Sequence, residues 1–253
     1  MYYNGDLKEN PWPEKGYNHF SIGFDIGYRI NSIFNVTLGY AYGQISGADS
    51  LVPGHEERNL HFKSIINDFR LYTYIDLNAL RKTIWKRKLT EKQDWKGGFT
   101  GPDVILGIGM LKFDPQGYYN GDWYNLQPLG TEGQNLGGEY SEPYKLWQFN
   151  VKYGLGAGWT FSQQFHIELQ AVYTHVFTDY LDDVSSEYPE YNEIAKGPEG
   201  DLTTYFTYGG NDGSVVPKGS ARGNVQKKDG YMIIGLKLTY IFSRSEMQRL
   251  LNL

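Results

Sequence analysis

Residues 144–180, YKLWQFNVKYGLGAGWTFSQQFHIELQAVYTHVFTDY, decide the fold because they alternate between apolar and polar side chains on two long arms. Apolar side chains occupy the odd positions of 147–161 and, apart from His175, those of 165–177, with the polar turn 162–164 between them. A period of two predicts two β-strands joined in a hairpin. Each arm exceeds the about 9–11 residues that a strand needs to cross a membrane, whereas strands of soluble sheets usually have about 3–10. The length of the arms therefore favours transmembrane strands.

The composition of the 253-residue chain suits many strands joined by turns, since 16% of its residues are aromatic and 31 are Gly. The mean hydropathy of −0.53 does not argue against membrane strands, because their lumen-facing halves are polar. The formal net charge of −5 disfavours nucleic-acid binding, and the absence of Cys excludes disulfides and thiol chemistry. No signal peptide is visible at Met1, so we expect the chain to begin within a longer precursor.

The same alternation predicts five further complete strands. They are Gly16–Ile30, Phe34–Tyr42, Asn59–Asn78, Pro102–Phe113 and Tyr231–Phe242. In the third of these strands, Asn59–Asn78, the apolar residues change from even to odd positions near Ile65 and Ile66. This change predicts a β-bulge. Tyr2–Leu7 is interpreted as the end of a truncated first strand, which makes the total eight. We therefore predict an all-β fold, an eight-stranded antiparallel up-and-down transmembrane β-barrel over residues 1–242 with long extracellular loops, and a short periplasmic C-terminal tail over 243–253.

The charges on the strands are predicted to fill the barrel. The interior of an eight-stranded barrel is just wide enough for side chains, so we expect no wide pore. The charged side chains predicted to face this lumen are Asp25, Arg29, Lys152, Glu168 and Lys237. An unpaired buried charge is costly, so we expect these groups to satisfy one another. A proton or ion path is the alternative.

The side chains that could support catalysis or hold a cofactor lack the necessary spacing. The five His residues have neither metal-site spacing nor a Ser or carboxylate partner at motif spacing. The acidic run Asp179–Asp183 could ligate calcium, but it lacks the order of a calcium loop, and a turn that orders its own loop is the favoured interpretation. We therefore expect no enzymatic activity, no catalytic residue, no cofactor and no metal.

Two segments on the short-turn side have features of docking surfaces. The loop Ala79–Gly101 combines basic and aromatic side chains that suit an acidic protein partner. Its candidate binding residues are Lys82, Trp85, Lys86, Arg87 and Lys88. The tail is predicted to form a short helix, with Ser245 as its possible cap and Met247, Leu250 and Leu251 on one side. A solvated loop and a frayed tail are the alternatives.

Several phrases of the sequence resemble one family. They are Tyr3–Leu7 (YNGDL), Arg58–Phe62 (RNLHF), Lys112–Pro115 (KFDP), Leu126–Gln134 (LQPLGTEGQ), Phe177–Ser185 (FTDYLDDVS) and Arg222–Asn224 (RGN). Over nearly the whole chain they resemble the PorG-like outer-membrane β-barrel family of Bacteroidota, a component of the type IX secretion system. The chain departs from the family pattern at its beginning, where the signal peptide and much of the first strand are absent.

The resemblance implies a multi-pass barrel in the cell outer membrane, in contact with outer-membrane lipid. It implies no catalytic residues and a scaffold role in protein secretion, anchoring a periplasmic ring of PorK/PorN-like proteins to that membrane. The rival expectations are a small pore or transporter, and a surface adhesin whose binding loops would be Asp114–Pro143 and Asp179–Asp229. The sequence contains no recognisable set of catalytic residues for a membrane-embedded hydrolase.

Overall fold

The computed structural model describes residues 1–8, 17–54, 58–84, 98–197, 199–243 and 246–248. Its strands are β1 (Tyr2–Asn4), β2 (Ser21–Arg29), β3 (Phe34–Ala48), β4 (His61–Asp76), β5 (Gly98–Tyr119), β6 (Asp122–Asn125), β7 (Trp147–Thr160), β8 (Phe165–Val176) and β9 (Gly230–Tyr240). The α-helices of these ranges are α1 (Leu77–Ile84), α2 (Tyr191–Ala195) and α3 (Gly200–Tyr208). Within the same ranges, no helix combines the length and apolar character needed to cross a membrane.

All nine strands belong to one antiparallel sheet with the order β1-β9-β8-β7-β5-β4-β3-β2. The remaining strand, β6, pairs only with the end of β5, so eight strands form the wall. The sheet curls until side chains of its two outermost long strands meet, because Lys237 on β9 lies 3.1 Å from Asp25 on β2. The prediction of an all-β, eight-stranded, up-and-down barrel with a short first strand is confirmed.

A seam runs between β2 and β9. The short β1 pairs with Gly230–Met232 at the top of β9, and the Met1 amino group donates a 2.5 Å hydrogen bond to the His19 carbonyl. Below this point, within the described part of the chain, the facing edges of β2 and of Ile233–Tyr240 pair with no other strand. The wall is therefore an incomplete barrel.

Short polar turns join the strands at one end, which we call the turn end. Asn31 Oδ1 accepts the backbone N–H groups of Ile33 and Phe34 at 2.8 and 2.9 Å. Ser162 Oγ accepts those of Gln164 and Phe165 at 3.2 and 3.0 Å. Asn and Ser favour such turns because their short side chains replace a backbone hydrogen bond. The connection between β4 and β5, which contains α1, also lies at the turn end, and the other long connections lie at the opposite end, the loop end.

The predicted bulge in β4 is wrong. β4 pairs with β3 and β5 in uninterrupted register through Ile65 and Ile66, while a register shift occurs between Thr100 and Asp103, where β5 pairs with β7. The pattern changes parity because the surroundings of the strand change. Toward the turn end the interior side chains of β4 are mostly polar, whereas toward the loop end Phe62 and Ile66 point into an apolar interior.

The main hydrophobic core lies inside the loop end of the barrel. Its buried side chains are Met1, Tyr3, Leu7, Ala41, Ile45, Leu60, Phe62, Ile66, Leu111, Phe113, Leu126, Val176, Leu181, Val184, Phe206 and Tyr231. They come from the strand ends and from the long connections. The connection predicted over Asp114–Pro143 is partly strand, because β5 continues to Tyr119 and turns back as β6. The connections therefore fold onto the barrel mouth as a packed layer.

Candidate functional site

The packed layer over the mouth, which we call the loop cap, consists of residues 5–8, 49–60 without 55–57, 126–136, 177–186, 199–210 and 222–229. Arg222 is its central charge. Arg222 Nη1 donates to Glu132 Oε1 at 2.9 Å and to the Asp183 carbonyl at 2.5 Å, and Nη2 lies 3.9 Å from Asp183 Oδ2. All three side chains are buried. A buried arginine in contact with two carboxylates therefore joins the connection after β6 to two distant parts of the connection after β8.

Glu132 gathers hydrogen-bond donors from the loop that follows β8. Its Oε1 accepts the backbone N–H of Ser185 at 2.8 Å, and its Oε2 accepts the Ser186 hydroxyl at 2.6 Å and the Tyr180 hydroxyl at 3.1 Å. Hydrogen bonds to an ionised acceptor are about twice as strong as neutral ones. Glu132 therefore fixes the course of residues 180–186.

Asp183 occupies the centre of the same loop with a left-handed backbone, φ 67°. Its Oδ2 accepts from Thr131 Oγ1 at 2.5 Å, and its Oδ1 accepts from the Tyr144 hydroxyl at 2.6 Å. Burial raises the pKa of Asp183 to about 6, although Arg222 acts in the opposite direction. The strained backbone is held in place by contacts on both sides of the carboxylate.

Arg58 and Asp49 tie the connection between β3 and β4 to this network. Arg58 Nε donates to Asp49 Oδ1 at 2.9 Å, and Asp49 Oδ2 accepts the Leu60 backbone N–H at 2.7 Å. Arg58 also donates to the Arg222 carbonyl. The four loops of the cap are thus cross-linked by charged side chains.

The acidic run of residues 179–183 serves this network. No group of three His, Asp or Glu side chains able to hold a metal ion occurs in the described ranges. Asp182 accepts hydrogen bonds from the Tyr3 hydroxyl at 2.5 Å and from the Val184 N–H at 3.0 Å. Burial and the nearby Asp6 raise the pKa of Asp179 to about 7. These contacts match the loop-ordering interpretation of the acidic run.

The lumen below the cap contains two sets of ion pairs. Lys152 Nζ lies 2.7 Å from Asp68 Oδ2 and 3.1 Å from Thr174 Oγ1, with both charged side chains fully buried. Asp25 lies between Arg70 at 3.0 Å and Lys237 at 3.1 Å. Cations and carboxylates from β2, β4, β7 and β9 therefore pair with one another inside the barrel.

The other two charges predicted for the lumen differ from each other. Glu168 is buried, and its Oε1 has no hydrogen-bond partner among the described residues. Arg29 is exposed near the turn end of β2. Glycines opposite the acidic side chains leave room for them, since a Cβ on Gly156 would come within 1.9 Å of Glu168 Oε1, and one on Gly39 within 1.9 Å of Asp25 Oδ1.

The candidate docking residues are placed only in part. Lys82 is exposed on α1, and Met247 is exposed on a short helical segment. Trp85, Lys86, Arg87, Lys88, Leu250 and Leu251 lie outside the described residues. Ser245, the predicted cap, lies outside the described residues. Ser243 Oγ accepts the Glu246 N–H at 3.3 Å, and Glu246 accepts the Ser243 N–H at 2.7 Å. This reciprocal arrangement is a capping box.

Sequence reasoning missed several of the charges that organise the molecule. Asp68 and Arg70 share the parity of Tyr72 on one strand, and this signal could have placed them in the lumen. Glu132 and Arg222 carried no periodic signal because they lie in irregular connections.

Comparisons with protein-family models, with curated proteins and with solved structures give no match for this chain.

Proposed function

We propose that the chain is a non-enzymatic outer-membrane barrel that acts as a scaffold, anchoring a periplasmic ring of the type IX secretion system to the membrane. The observation that carries this proposal is the closed interior, with buried ion pairs in the lumen and the loop cap over the mouth. A barrel filled in this way offers its outer wall and its two ends for function. The partner itself is suggested by the resemblance of the loop phrases to the PorG-like family.

The outer wall supports a membrane location. Trp147 and Trp159 are both exposed on β7 and are twelve residues apart, with the exposed Leu155 between them. That separation is about 40 Å along a strand, or roughly 30 Å along the axis of a barrel whose strands tilt by about 40°. Aromatic residues at both edges of an apolar band are typical of outer-membrane barrels.

Leu155→Arg tests this location. We expect it to destabilise the folded barrel in lipid by about 2–4 kcal/mol, because an Arg near the middle of the apolar band must be buried in hydrocarbon. The matched control is Val215→Arg on the loop end, since Val215 is 75% exposed and Leu155 is 59% exposed. Urea titrations in lipid vesicles give both free energies of unfolding. Equal tolerance of the two substitutions would contradict a membrane-embedded wall.

The anchor role predicts a periplasmic partner at the turn end. α1 presents Arg81 and Lys82 there, and the Glu246 carboxylate fastens the tail to the last strand by accepting from the Tyr240 hydroxyl at 3.0 Å. We expect purification of the protein from native outer membranes, with crosslinking through lysine and carboxyl side chains, to recover PorK/PorN-like proteins bound through Lys82 or through Glu246 of the tail. Deletion of residues 85–97 should reduce that recovery, whereas deletion of residues 137–139 at the loop end should not. Recovery of the barrel alone would reject the anchor.

A pore remains the rival that the structure favours least. Ion pairs across the lumen and the cap over the mouth both obstruct conduction. We expect no steady single-channel current from the purified protein in planar bilayers. A regular open conductance would favour the pore.

A further inference from the structure

Tyr3, Asp182 and Asp229 meet at the base of the loop cap, and we call them the tyrosine–aspartate triad. The Tyr3 hydroxyl lies 2.5 Å from Asp182 Oδ2 and 2.8 Å from Asp229 Oδ1. The exposed fractions of Tyr3, Asp182 and Asp229 are 0%, 1% and 0%. The triad joins the first strand to the loop after β8 and to the residue that precedes β9.

The number of protons in the triad follows from these distances. A tyrosine hydroxyl has one proton, so it can donate to only one of the two carboxyl oxygens. With both aspartates ionised, the second oxygen would face the hydroxyl oxygen with no proton between them. One aspartate must therefore be a carboxylic acid that donates to Tyr3.

The remaining contacts indicate which aspartate carries the proton. Asp182 accepts two backbone N–H groups, from Leu7 at 3.1 Å and from Val184 at 3.0 Å, whereas Asp229 accepts one, from Leu181 at 2.8 Å. Backbone donors favour the ionised form of a carboxyl group. Asp182 is therefore the carboxylate. The hydrogen bonds run in sequence, from the Asp229 acid to the Tyr3 oxygen and from the Tyr3 hydroxyl to Asp182.

We propose that the proton on Asp229 is a pH-sensitive lock on the loop cap, which holds the three segments of the triad together and releases them when the proton is lost. Loss of the proton would leave two buried carboxylates competing for one hydroxyl. The backbone N–H groups of Leu7, Leu181 and Val184 already donate to the triad, so they could not compensate.

The ionisable groups near the triad act in both directions. The cations Lys8, Arg58, Lys227 and Lys228 favour ionised carboxylates in this region, whereas Asp6 and Asp179 favour the protonated form of the triad, and Tyr173 lies beside Asp229. Burial first, and then the carboxyl groups of Asp182 and Asp179, raise the pKa of Asp229 well above its usual range. Because the closed cap binds a proton that the open cap releases, closure is favoured at low pH and weakens as the pH rises toward the folded-state pKa.

The test is the pH dependence of cap opening in the full chain in detergent micelles. Urea-induced loss of the near-ultraviolet circular dichroism of the buried tyrosines would report the opening constant. Over about pH 5.5–7.5, we expect the opening constant of the wild type to rise more steeply with pH than that of Asp229→Asn, by a factor of up to about ten per pH unit. The difference arises because opening of the wild-type cap releases the Asp229 proton, which the variant lacks. The asparagine amide can donate to Tyr3 at any pH. Asp122→Asn, an exposed position on β6, is the control for charge and should keep the wild-type slope.

Asp182→Asn provides an independent variant, since it also leaves a single carboxyl group in the triad and should flatten the pH dependence in the same way. If either variant folds and its opening constant keeps the pH dependence of the wild type, the proposal is overturned. A wild-type cap whose opening does not depend on pH between about 5.5 and 7.5 would also overturn it. A pH effect that survives in both variants would assign it to Asp179 or Asp6 instead.

Discussion

Arg222→Leu is expected to lower the free energy of unfolding of the loop cap by about 3–5 kcal/mol. The substitution removes the cation that lies 2.9 Å from Glu132 and leaves that carboxylate and Asp183 buried without it. An uncompensated buried charge costs more than the original pair contributed. Urea titrations followed by the near-ultraviolet circular dichroism of Tyr144 and Tyr180 should show the cap transition at a much lower urea concentration.

The matched control is Lys218→Leu, which removes a cation from the exposed Lys218–Glu139 pair of the loop end. Exposed pairs contribute little, so the cap transition should remain where it is. The conservative variant Arg222→Lys should recover only part of the loss, since lysine cannot reproduce the fork of donors. Similar effects of Arg222→Leu and Lys218→Leu would contradict the central role of Arg222.

Lys152→Met is expected to destabilise the barrel wall by about 3–5 kcal/mol. Methionine fills a similar volume, but it leaves Asp68 buried in the lumen without its cation, and Asp68 Oδ1 has no hydrogen-bond partner among the described residues. The change should be visible in gel electrophoresis, where the folded, heat-modifiable band should disappear at a lower temperature. The cost arises from the carboxylate that remains rather than from the lysine that is lost.

Two further variants separate this explanation from simple loss of packing. The double variant Lys152→Met/Asp68→Leu should recover most of the stability, because replacement of a whole buried ion pair by apolar residues is often neutral. Lys112→Met makes the same substitution at an exposed position of β5 and should have little effect. A double variant no more stable than Lys152→Met would show that packing, not charge, dominates at this site.

The wall of the barrel could be predicted from the sequence because alternation is a local signal. Residues such as Leu155 and Lys152 reveal their opposite faces within a few positions of the chain. The assumption that each face keeps one polarity throughout was wrong for β4, where the interior changes from polar near Arg70 to apolar at Ile66 and Phe62.

The loop cap could not be predicted in the same way. Its contacts join residues separated by long stretches of chain, as Arg222 and Glu132 do, and the connections that carry them have no period. Only the resemblance of the loop phrases drew attention to these residues, without assigning their contacts. The reciprocal pair of Ser243 and Glu246 was likewise not predicted.

The position of the main hydrophobic core inside the barrel mouth sets an order of assembly. Ala41, Ile66, Leu111, Val176 and Tyr231 contribute to it from β3, β4, β5, β8 and β9, so the strands must be side by side before the connections have a surface on which to pack. The hydrogen bond between Tyr3 and Asp229 also joins β1 to the residue that precedes β9. Contacts of such long range form late, because loop closure must precede them. We therefore expect the wall to assemble first and the cap to close over it afterwards.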